Sequence, residues 1–208
     1  MISLRNNGSK SILVIGAHPD DTEIMAGGLI SRAVLDGFNV YSVVVSDGCE
    51  NGEAKIRQEE TKEAGKILGL KEIWFCGIKD GTIIHDINMV RLIEKFVREV
   101  DPFLIITHSP QDTHQDHKNL CSSVLSAARR RPCSILMGET PSSYISENLV
   151  YADITDTIGV KIKALSVHES QIKDGPINLR NIKITSEFRG QNAGVEYAEC
   201  FVNWRTII

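Results

Sequence analysis

Short apolar segments alternate with longer amphipathic segments along most of this chain, and that alternation restricts its fold more than any other feature. Apolar segments of strand length predict four buried strands, over Ser11–Gly16, Val40–Ser46, Glu72–Cys76 and Phe103–Thr107. The amphipathic segments that follow predict four helices, over Glu23–Asp36, Ala54–Leu68, Ile87–Val100 and Lys118–Arg130. After Pro132 the same criteria predict strands over Ser134–Met137 and Leu149–Ile154 and a helix over Ile158–Gln171.

Strands that are apolar throughout and separated by helices favour an α/β fold, in which helices cover both faces of a parallel sheet. No linker, repeat or low-complexity segment divides the sequence, so we predict a single domain over residues 1–208. In open parallel sheets, ligands bind beyond the carboxyl ends of the strands at a topological switch point. The loops that follow the strands are therefore the places to look for chemistry.

Composition excludes several classes of protein. The chain has 208 residues, 42% of them hydrophobic, which is enough to bury the core of one ordinary domain. Its 23 basic and 27 acidic residues give a formal charge of −4, so we predict no nucleic-acid partner. Five scattered cysteines without a C-x-x-C pair favour free thiols in a reducing compartment. Without a spanning apolar run or a signal-peptide pattern, we expect no transmembrane segment and a cytoplasmic location.

Two loops concentrate side chains that bind cations or move protons. The loop after the first strand carries His18, Asp20 and Asp21, without the glycine pattern of a dinucleotide or phosphate loop. The loop after the fourth strand carries His108, Asp112, His114, Asp116 and His117. Loops at the carboxyl ends of neighbouring parallel strands converge on one crevice. Imidazole nitrogens and carboxylate oxygens suit zinc, iron and related divalent ions, so these loops predict a metal site with surplus groups for acid–base roles.

These motifs resemble the LmbE/PIG-L family of zinc-dependent N-acetyl-sugar deacetylases. The resemblance rests mainly on A-H-P-D-D at 17–21 and H-x-D-H at 114–117. Weaker matches follow in the same order: R-Q-E-E at 57–60, D-G at 80–81, A-L-x-x-H-x-x-Q at 164–171 and a closing motif over 189–201. The resemblance implies a Rossmann-like three-layer sandwich with a mostly parallel sheet.

The resemblance also assigns roles to individual residues. It implies that Zn²⁺, or Fe²⁺ or another divalent ion, is held by His18, Asp21 and His117. It implies catalytic roles for Asp20 as the general base, for His114 as the electrophile beside the carbonyl and for Asp116 as the group that orients His114. Contacts with the sugar would come from Arg57 and Asp80. The roles of three further residues stay open: His108, Asp112 and His168.

The implied reaction is removal of the N-acetyl group from an amino sugar by a metal-bound water, which releases acetate and a free amine. The substrate would be a small molecule such as an N-acetylglucosamine glycoside or a sugar nucleotide. The family implies a homo-oligomer, a trimer or hexamer, and the apolar segment Phe201–Ile208 could serve as an interface. Two other classes stay open from the residues: a metal-dependent phosphoesterase and a non-catalytic binding module on the same fold.

Overall fold

The computed structural model describes residues 10–144, 147–173 and 175–207, and they build one seven-stranded sheet with helices on both faces. The strands are β1 (Ser11–Gly16), β2 (Asn39–Ser46), β3 (Glu72–Ile78), β4 (Leu104–His108), β5 (Ser134–Gly138), β6 (Leu149–Asp153) and β7 (Ala198–Arg205). The helices are α1 (Asp21–Leu35), α2 (Ala54–Leu68), α3 (Ile87–Val100), α4 (Gln115–Ala128), α5 (Ile158–Ser166), α6 (Glu169–Lys173) and α7 (Leu179–Ala193).

The order of the strands across the sheet is β3-β2-β1-β4-β5-β7-β6. The pairs from β3 to β5 are parallel, whereas β7 runs antiparallel to both of its neighbours. The predicted α/β fold with a mostly parallel sheet is therefore confirmed. The chain leaves β1 towards β2 and β3 and then returns to β4 on the other side of β1, so the switch point lies between β1 and β4.

Alternate residues of the strands build two separate cores, one on each face of the sheet. Leu13 and Ile15 of β1 face the core that α3 and α4 cover. Ile12 and Val14 face the opposite core, to which α1, α2 and α5 contribute. This division follows from the two-residue repeat of a strand, and it explains why β1 is apolar throughout.

Helix α1 contains a kink that the last strand stabilises. Ala26 has non-helical backbone angles, φ −147° and ψ 16°, inside the helix. The backbone N–H groups of Gly28 and Leu29 donate to the buried carboxylate of Glu199 in β7, each at 2.8 Å. Lys161 of α5 pairs with the same carboxylate at 2.7 Å. Buried backbone donors need partners, so this carboxylate stabilises the bend that directs the first turn of α1 towards the switch point.

The last part of the chain differs from the sequence prediction. The predicted helix over Ile158–Gln171 is divided into α5 and α6, while α7 and β7 had not been predicted. The segment Phe201–Ile208 could serve as an interface by its sequence, and its last residue lies outside the described part. Residues 201–205 belong to β7, where Phe201 is fully buried, so core packing accounts for the apolar residues at the start of the segment. In the described part of the chain, no helix has the length and apolar character that crossing a membrane requires.

Candidate metal centre

The loop after β1 turns sharply enough to send two adjacent carboxylates in different directions. Asp20 has φ 109°, a left-handed conformation that L-residues rarely adopt. Asp21 begins α1, and its Oδ2 accepts a hydrogen bond from the backbone N–H of His18 at 2.6 Å. As a result Asp21 faces the histidines of the site, and Asp20 faces Arg57.

Atoms of three side chains, including both carboxylate oxygens of Asp21, converge at the switch point. His18 Nδ1 lies 3.1 Å from His117 Nε2 and 3.3 Å from Asp21 Oδ2, and His117 Nε2 lies 3.5 Å from Asp21 Oδ1. The ligand atoms of a tetrahedral zinc ion, with bonds of about 2.0–2.1 Å, are roughly 3.3 Å from one another. The spacing of these atoms therefore fits a cation between them, and overlapping groups of His and Asp side chains here could hold one.

Each of the two histidines has a carboxylate on its other ring nitrogen. His18 Nε2 lies 3.0 Å from Asp80 Oδ1 and 3.4 Å from Asp116 Oδ2. His117 Nδ1 lies 2.9 Å from Asp112 Oδ2. A proton on the nitrogen that faces the carboxylate leaves the nitrogen that faces the centre with a free lone pair. Carboxylates support metal-binding histidines in this way, so the tautomers also fit a cation.

The electrostatics of the centre favour positive charge. Burial opposes the imidazolium of His18, but the neighbouring carboxylates of Asp116, Asp21 and Asp80 raise its pKa to about 12. Burial likewise opposes the charged form of His117, whereas Asp21 and Asp112 raise its pKa. Burial would raise the pKa of Asp21, but His108 and His117 hold it well below its usual value. A divalent ion would supply the positive charge that protons otherwise provide.

Asp20 lies at the edge of this centre and is held by Arg57. Its Oδ2 is 3.1 Å from Arg57 Nη2, and the guanidinium also donates to the carbonyls of Pro19 at 2.7 Å and Gly48 at 2.8 Å. Burial and the negative charge of Asp21 raise the pKa of Asp20 to about 7, although Arg57 acts in the opposite direction. Both terminal nitrogens of Arg57 are thus engaged by the protein. The geometry shows Arg57 orienting Asp20, and Arg57 also lines the cavity at the site.

His114 is held by a backbone group rather than by the carboxylate of Asp116. Its Nδ1 accepts a hydrogen bond from the backbone N–H of Asp116 at 3.2 Å, so a neutral His114 carries its proton on Nε2. Burial and the neighbouring His117 and His18 lower the pKa of His114. The Asp116 carboxylate instead accepts from the backbone N–H of Gly81 at 2.9 Å and faces His18. The expectation that this carboxylate orients His114 and favours its protonated form therefore does not match the geometry.

Asp80 and Asp112 lie behind the histidines and outside the cavity that the centre opens into. Asp80 is 4% exposed and faces His18, a position from which it supports the histidine. Asp112 had no assigned role, yet its carboxylate accepts from His117 and from the hydroxyls of Thr140 and Ser142, the latter two at 2.7 Å. Asp112 lies two residues before the H-x-D-H motif, so positions 112–117 have the pattern D-x-H-x-D-H, and this longer pattern is the signal that could have assigned it.

Two further histidines are fully buried beside the site. His108 Nε2 accepts from the backbone N–H of Ala17 at 3.0 Å and lies 3.1 Å from Asp21 Oδ2. Burial and the charge of His117 lower the pKa of His108 to about 4, so it is neutral. His168 lies 3.6 Å from Glu23, which is also fully buried. Burial opposes the charged form of His168, and the carboxylate of Glu23 raises its pKa.

A cavity of about 240 Å³ opens onto the centre, which we call the metal cavity. His18, Asp20, Asp21, His114 and His117 all line it, so it combines the candidate ligands with two side chains that can move protons. Its other wall includes the apolar side chains of Ile24, Ile177 and Ile182. Fold and site together define an α/β protein with a candidate His/Asp metal centre in the crevice at its switch point.

Comparison with known proteins identifies the family. A family model described as PIG-L, GlcNAc-PI de-N-acetylase, matches residues 13–128, more than half of the chain. The uncharacterized deacetylase YaiS of Escherichia coli K12 is 32% identical over 79% of this chain and 93% of that protein. The diacetylchitobiose deacetylase of Thermococcus kodakarensis is 26% identical over 93% of this chain and 82% of that protein.

The fold is also shared with solved structures. The conserved protein TT1542 of Thermus thermophilus superposes with a TM-score of 0.83 at 24% identity, over 95% of each chain. A protein of another activity also matches: the 4-oxalmesaconate hydratase of Pseudomonas putida is 29% identical over 54% of this chain and 49% of that protein. The chain belongs to the PIG-L family of deacetylases, as the motifs in its sequence indicated.

Proposed function

We propose that this protein is a zinc-dependent hydrolase that removes the N-acetyl group from an amino-sugar conjugate. The observation that carries the proposal is the convergence of His18, Asp21 and His117 with spacings of 3.1–3.5 Å, with a carboxylate behind each imidazole. The membership in a deacetylase family and the deacetylases among the relatives support it. Fe²⁺ or another divalent ion has the same ligand preferences and stays within the proposal.

His18, Asp21 and His117 would hold the ion through Nδ1, a carboxylate oxygen and Nε2. When bound, the ion supplies Lewis-acid chemistry that polarises a water and the amide carbonyl. The three ligands come from the loop after β1 and from α4, so the fold fixes their separation. The carboxylates of Asp80, Asp112 and Asp116 hold the two imidazole rings in the required orientation.

Asp20 would act as the general base. Its carboxylate lines the metal cavity next to Asp21, and a pKa of about 7 suits a group that must accept a proton from water near neutral pH. Arg57 holds the Oδ2 atom in place, so Asp20 can accept the proton on its other oxygen. The acid form of Asp20 then has a proton for the departing amine.

His114 would stabilise the negative charge that develops on the acetyl oxygen. Its Nδ1 is occupied by the backbone N–H of Asp116, which leaves Nε2–H as the donor. His114 lines the same cavity as the candidate ligands. Donors that face a developing oxyanion typically contribute about 10²–10³-fold to turnover.

A hydratase is the second candidate, because a hydratase is among the relatives. Such an enzyme adds water across a carbon–carbon double bond and releases no acetate. The side chains of Ile24, Ile177 and Ile182 in the metal cavity suit the methyl group of an acetamide. The two reactions have different products, so one assay separates them.

The test combines metal analysis with a product assay. The purified chain is loaded with one equivalent of Zn²⁺ and incubated with a panel of N-acetylglucosamine glycosides and sugar nucleotides, and acetate and free amine are measured. We expect equal amounts of the two products from at least one glycoside, and none after chelation. Hydration of an unsaturated dicarboxylate without acetate release from the panel would support the hydratase. Release of inorganic phosphate from sugar nucleotides would support a phosphoesterase.

A further inference from the structure

The wall of the metal cavity includes Gln171, a polar side chain that the reaction proposed above does not use. Gln171 belongs to α6 and is fully buried, at 0% exposure. Glutamine is seldom buried, because its amide gives up hydrogen bonds with water that the protein or a ligand must replace. The partners of its two polar atoms therefore indicate what this residue can do.

The amide nitrogen of Gln171 is fully engaged by the protein, and this fixes the orientation of the amide. Nε2 donates to the backbone carbonyl of Asn51 at 2.9 Å and to Ser170 Oγ at 3.0 Å, so both of its protons are used. Ser170 Oγ donates its own proton to Glu60, which leaves the hydroxyl oxygen free to accept. A flipped amide would place Oε1 against the Asn51 carbonyl, where two acceptors repel each other.

The other polar atom of the amide, Oε1, is a buried acceptor without a donor among the residues that the structure describes. Buried acceptors are rarely left unpaired, because an unpaired one forfeits its hydrogen bond with water. The chain also packs closely around this amide. A Cβ on Gly175 would lie 2.9 Å from Oε1, and the backbone N–H of Ile177 donates to the backbone carbonyl of Gln171 at 3.1 Å. The acceptor is thus held in place before a ligand arrives.

The remaining buried polar side chains that line the metal cavity already have tasks in the proposed reaction. They hold the ion, move the proton or orient those groups: His18, Asp20, Asp21, Arg57, His117 and Thr140. An amide oxygen accepts from an N–H or an O–H group. The single N–H of an acetamido sugar belongs to the amide that the ion and Asp20 engage. The hydroxyl groups of the sugar are therefore the donors left for Gln171.

We infer that Gln171 is a specificity-determining residue whose Oε1 accepts a hydrogen bond from one hydroxyl group of the N-acetylated sugar. The inference rests on the proposed deacetylation and adds a recognition contact to its site. A substrate without this hydroxyl would leave the oxygen buried and unpaired, and a site built to bind a hydroxyl discriminates strongly against an analogue that lacks it. Gln171 would thus select sugars among the acetamides that fit the cavity.

The experiment measures kcat/KM for acetate release by the Zn²⁺-loaded chain. The substrates are the methyl glycoside of N-acetylglucosamine and analogues that each lack one hydroxyl group. We expect one analogue to be about tenfold worse than the parent glycoside, the usual effect of one neutral hydrogen bond. Gln171→Met removes the acceptor, so the parent should fall to the value of that analogue while the analogue changes little. Equal values for the parent and all analogues on the unmodified chain would overturn the inference, whether or not the variant folds.

Gln171→Glu separates recognition from a purely structural role. It keeps an acceptor oxygen but loses donors to Asn51 and Ser170, so the preference for the parent glycoside should persist. A residue that only ties α6 to Asn51 would lower the parent and the analogues by the same factor in both variants. Gln191→Met, the same change at an exposed position of α7, is the control and should leave every value as it is. A preference that persists in Gln171→Met, or that Gln171→Glu loses to the same degree, would overturn the assignment.

A binding measurement keeps the inference separate from the proposed function. Calorimetric titration uses the corresponding glucosamine glycosides, which carry the same hydroxyl groups and have no acetyl group to release. The same analogue should bind the unmodified chain about tenfold more weakly than the parent, and the two should bind Gln171→Met equally. Absence of acetate from every substrate, with this binding pattern retained, would overturn the deacetylase and leave the contact of Gln171 intact. Acetate release without any dependence on a hydroxyl group would overturn the contact and leave the deacetylase.

Discussion

The strained backbone of Asp20 directs its side chain away from that of Asp21. Its φ of 109° is costly for an L-residue, by about 1–3 kcal/mol, and such strain persists only where the surroundings fix it. Arg57 fixes it here through Oδ2 and through the carbonyl of Pro19. The turn separates two consecutive carboxylates, so that Asp21 faces the histidines and Asp20 faces Arg57.

The first prediction concerns Asp20→Asn, which keeps the shape of the side chain and removes its ability to accept a proton. Acetate turnover should fall by about 10²–10⁴-fold, the usual contribution of a general base. The zinc content should remain that of the unmodified chain, because Asp21 and the histidines are unchanged. Turnover and metal content are measured on the same preparation. Unchanged turnover in Asp20→Asn would exclude this residue as the base.

The second prediction concerns the carboxylate behind His117. Asp112→Asn removes the charge that orients the imidazole and keeps the residue size, so the affinity for zinc should fall by about 10–100-fold. Competition with a chromophoric chelator measures the affinity. Asp36→Asn, on the exposed end of α1, is the matched control and should bind zinc like the unmodified chain. Equal affinities in the two variants would refute a supporting role for Asp112.

At the scale of elements, the kink of α1 depends on a carboxylate from the far end of the sheet. Glu199 of β7 holds the N–H groups of Gly28 and Leu29 and also neutralises the buried Lys161. Asp21 lies in the first turn of the same helix, so the direction of this turn decides where the ligand points. A residue at some distance from the cation site thus contributes to its geometry.

The third prediction is that Glu199→Gln destabilises the protein. It leaves Lys161 buried without a charged partner, which typically costs about 3–5 kcal/mol of the free energy of unfolding. Chemical denaturation measures the loss. The double variant Glu199→Gln with Lys161→Met should recover part of it, since no buried charge remains. Glu196→Gln, an exposed change in the preceding turn, is the control. A loss as small as that of Glu196→Gln would contradict the structural role of the pair.

The elements show why some of the fold and the site could be predicted and the rest could not. Strands such as β1 and β4 are apolar throughout, and the loops that follow them carry the candidate ligands, so both were visible as local patterns. Helix α7 turns polar residues such as Thr185 and Arg189 towards a cavity, which removes the apolar periodicity that predicts a helix. The contact of Asp80 with His18 depends on how the β3–α3 loop packs, which no local pattern contains.

At the scale of the whole molecule, the candidate site is a cluster of buried carboxylates. Asp21, Asp80, Asp112 and Asp116 are all buried around His18 and His117. Carboxylates so close together repel one another unless protons or a cation compensate for their charge. A cation bound here would therefore stabilise the folded chain.

The fourth prediction follows from this compensation. Zn²⁺ at 100 times its dissociation constant should stabilise the fold by about 2.7 kcal/mol, which for a chain of this size raises Tm by roughly 5–10 °C. Thermal unfolding with zinc and with a chelator measures the shift. His117→Ala, which removes one ligand, should show a much smaller shift. A shift of the same size in that variant would place the stabilising ion elsewhere.

The insertion of β7 between β5 and β6 has a consequence for biosynthesis. Residues 149–153 leave the ribosome well before residues 198–205, yet within the described sheet β6 pairs with β7 and not with β5. Until the final strand is synthesised, the nascent chain exposes the open edge of β5 and lacks the carboxylate that stabilises the bend in α1. Assembly of the candidate site is therefore a late event in synthesis, because Glu199 is translated after His18, Asp21 and His117.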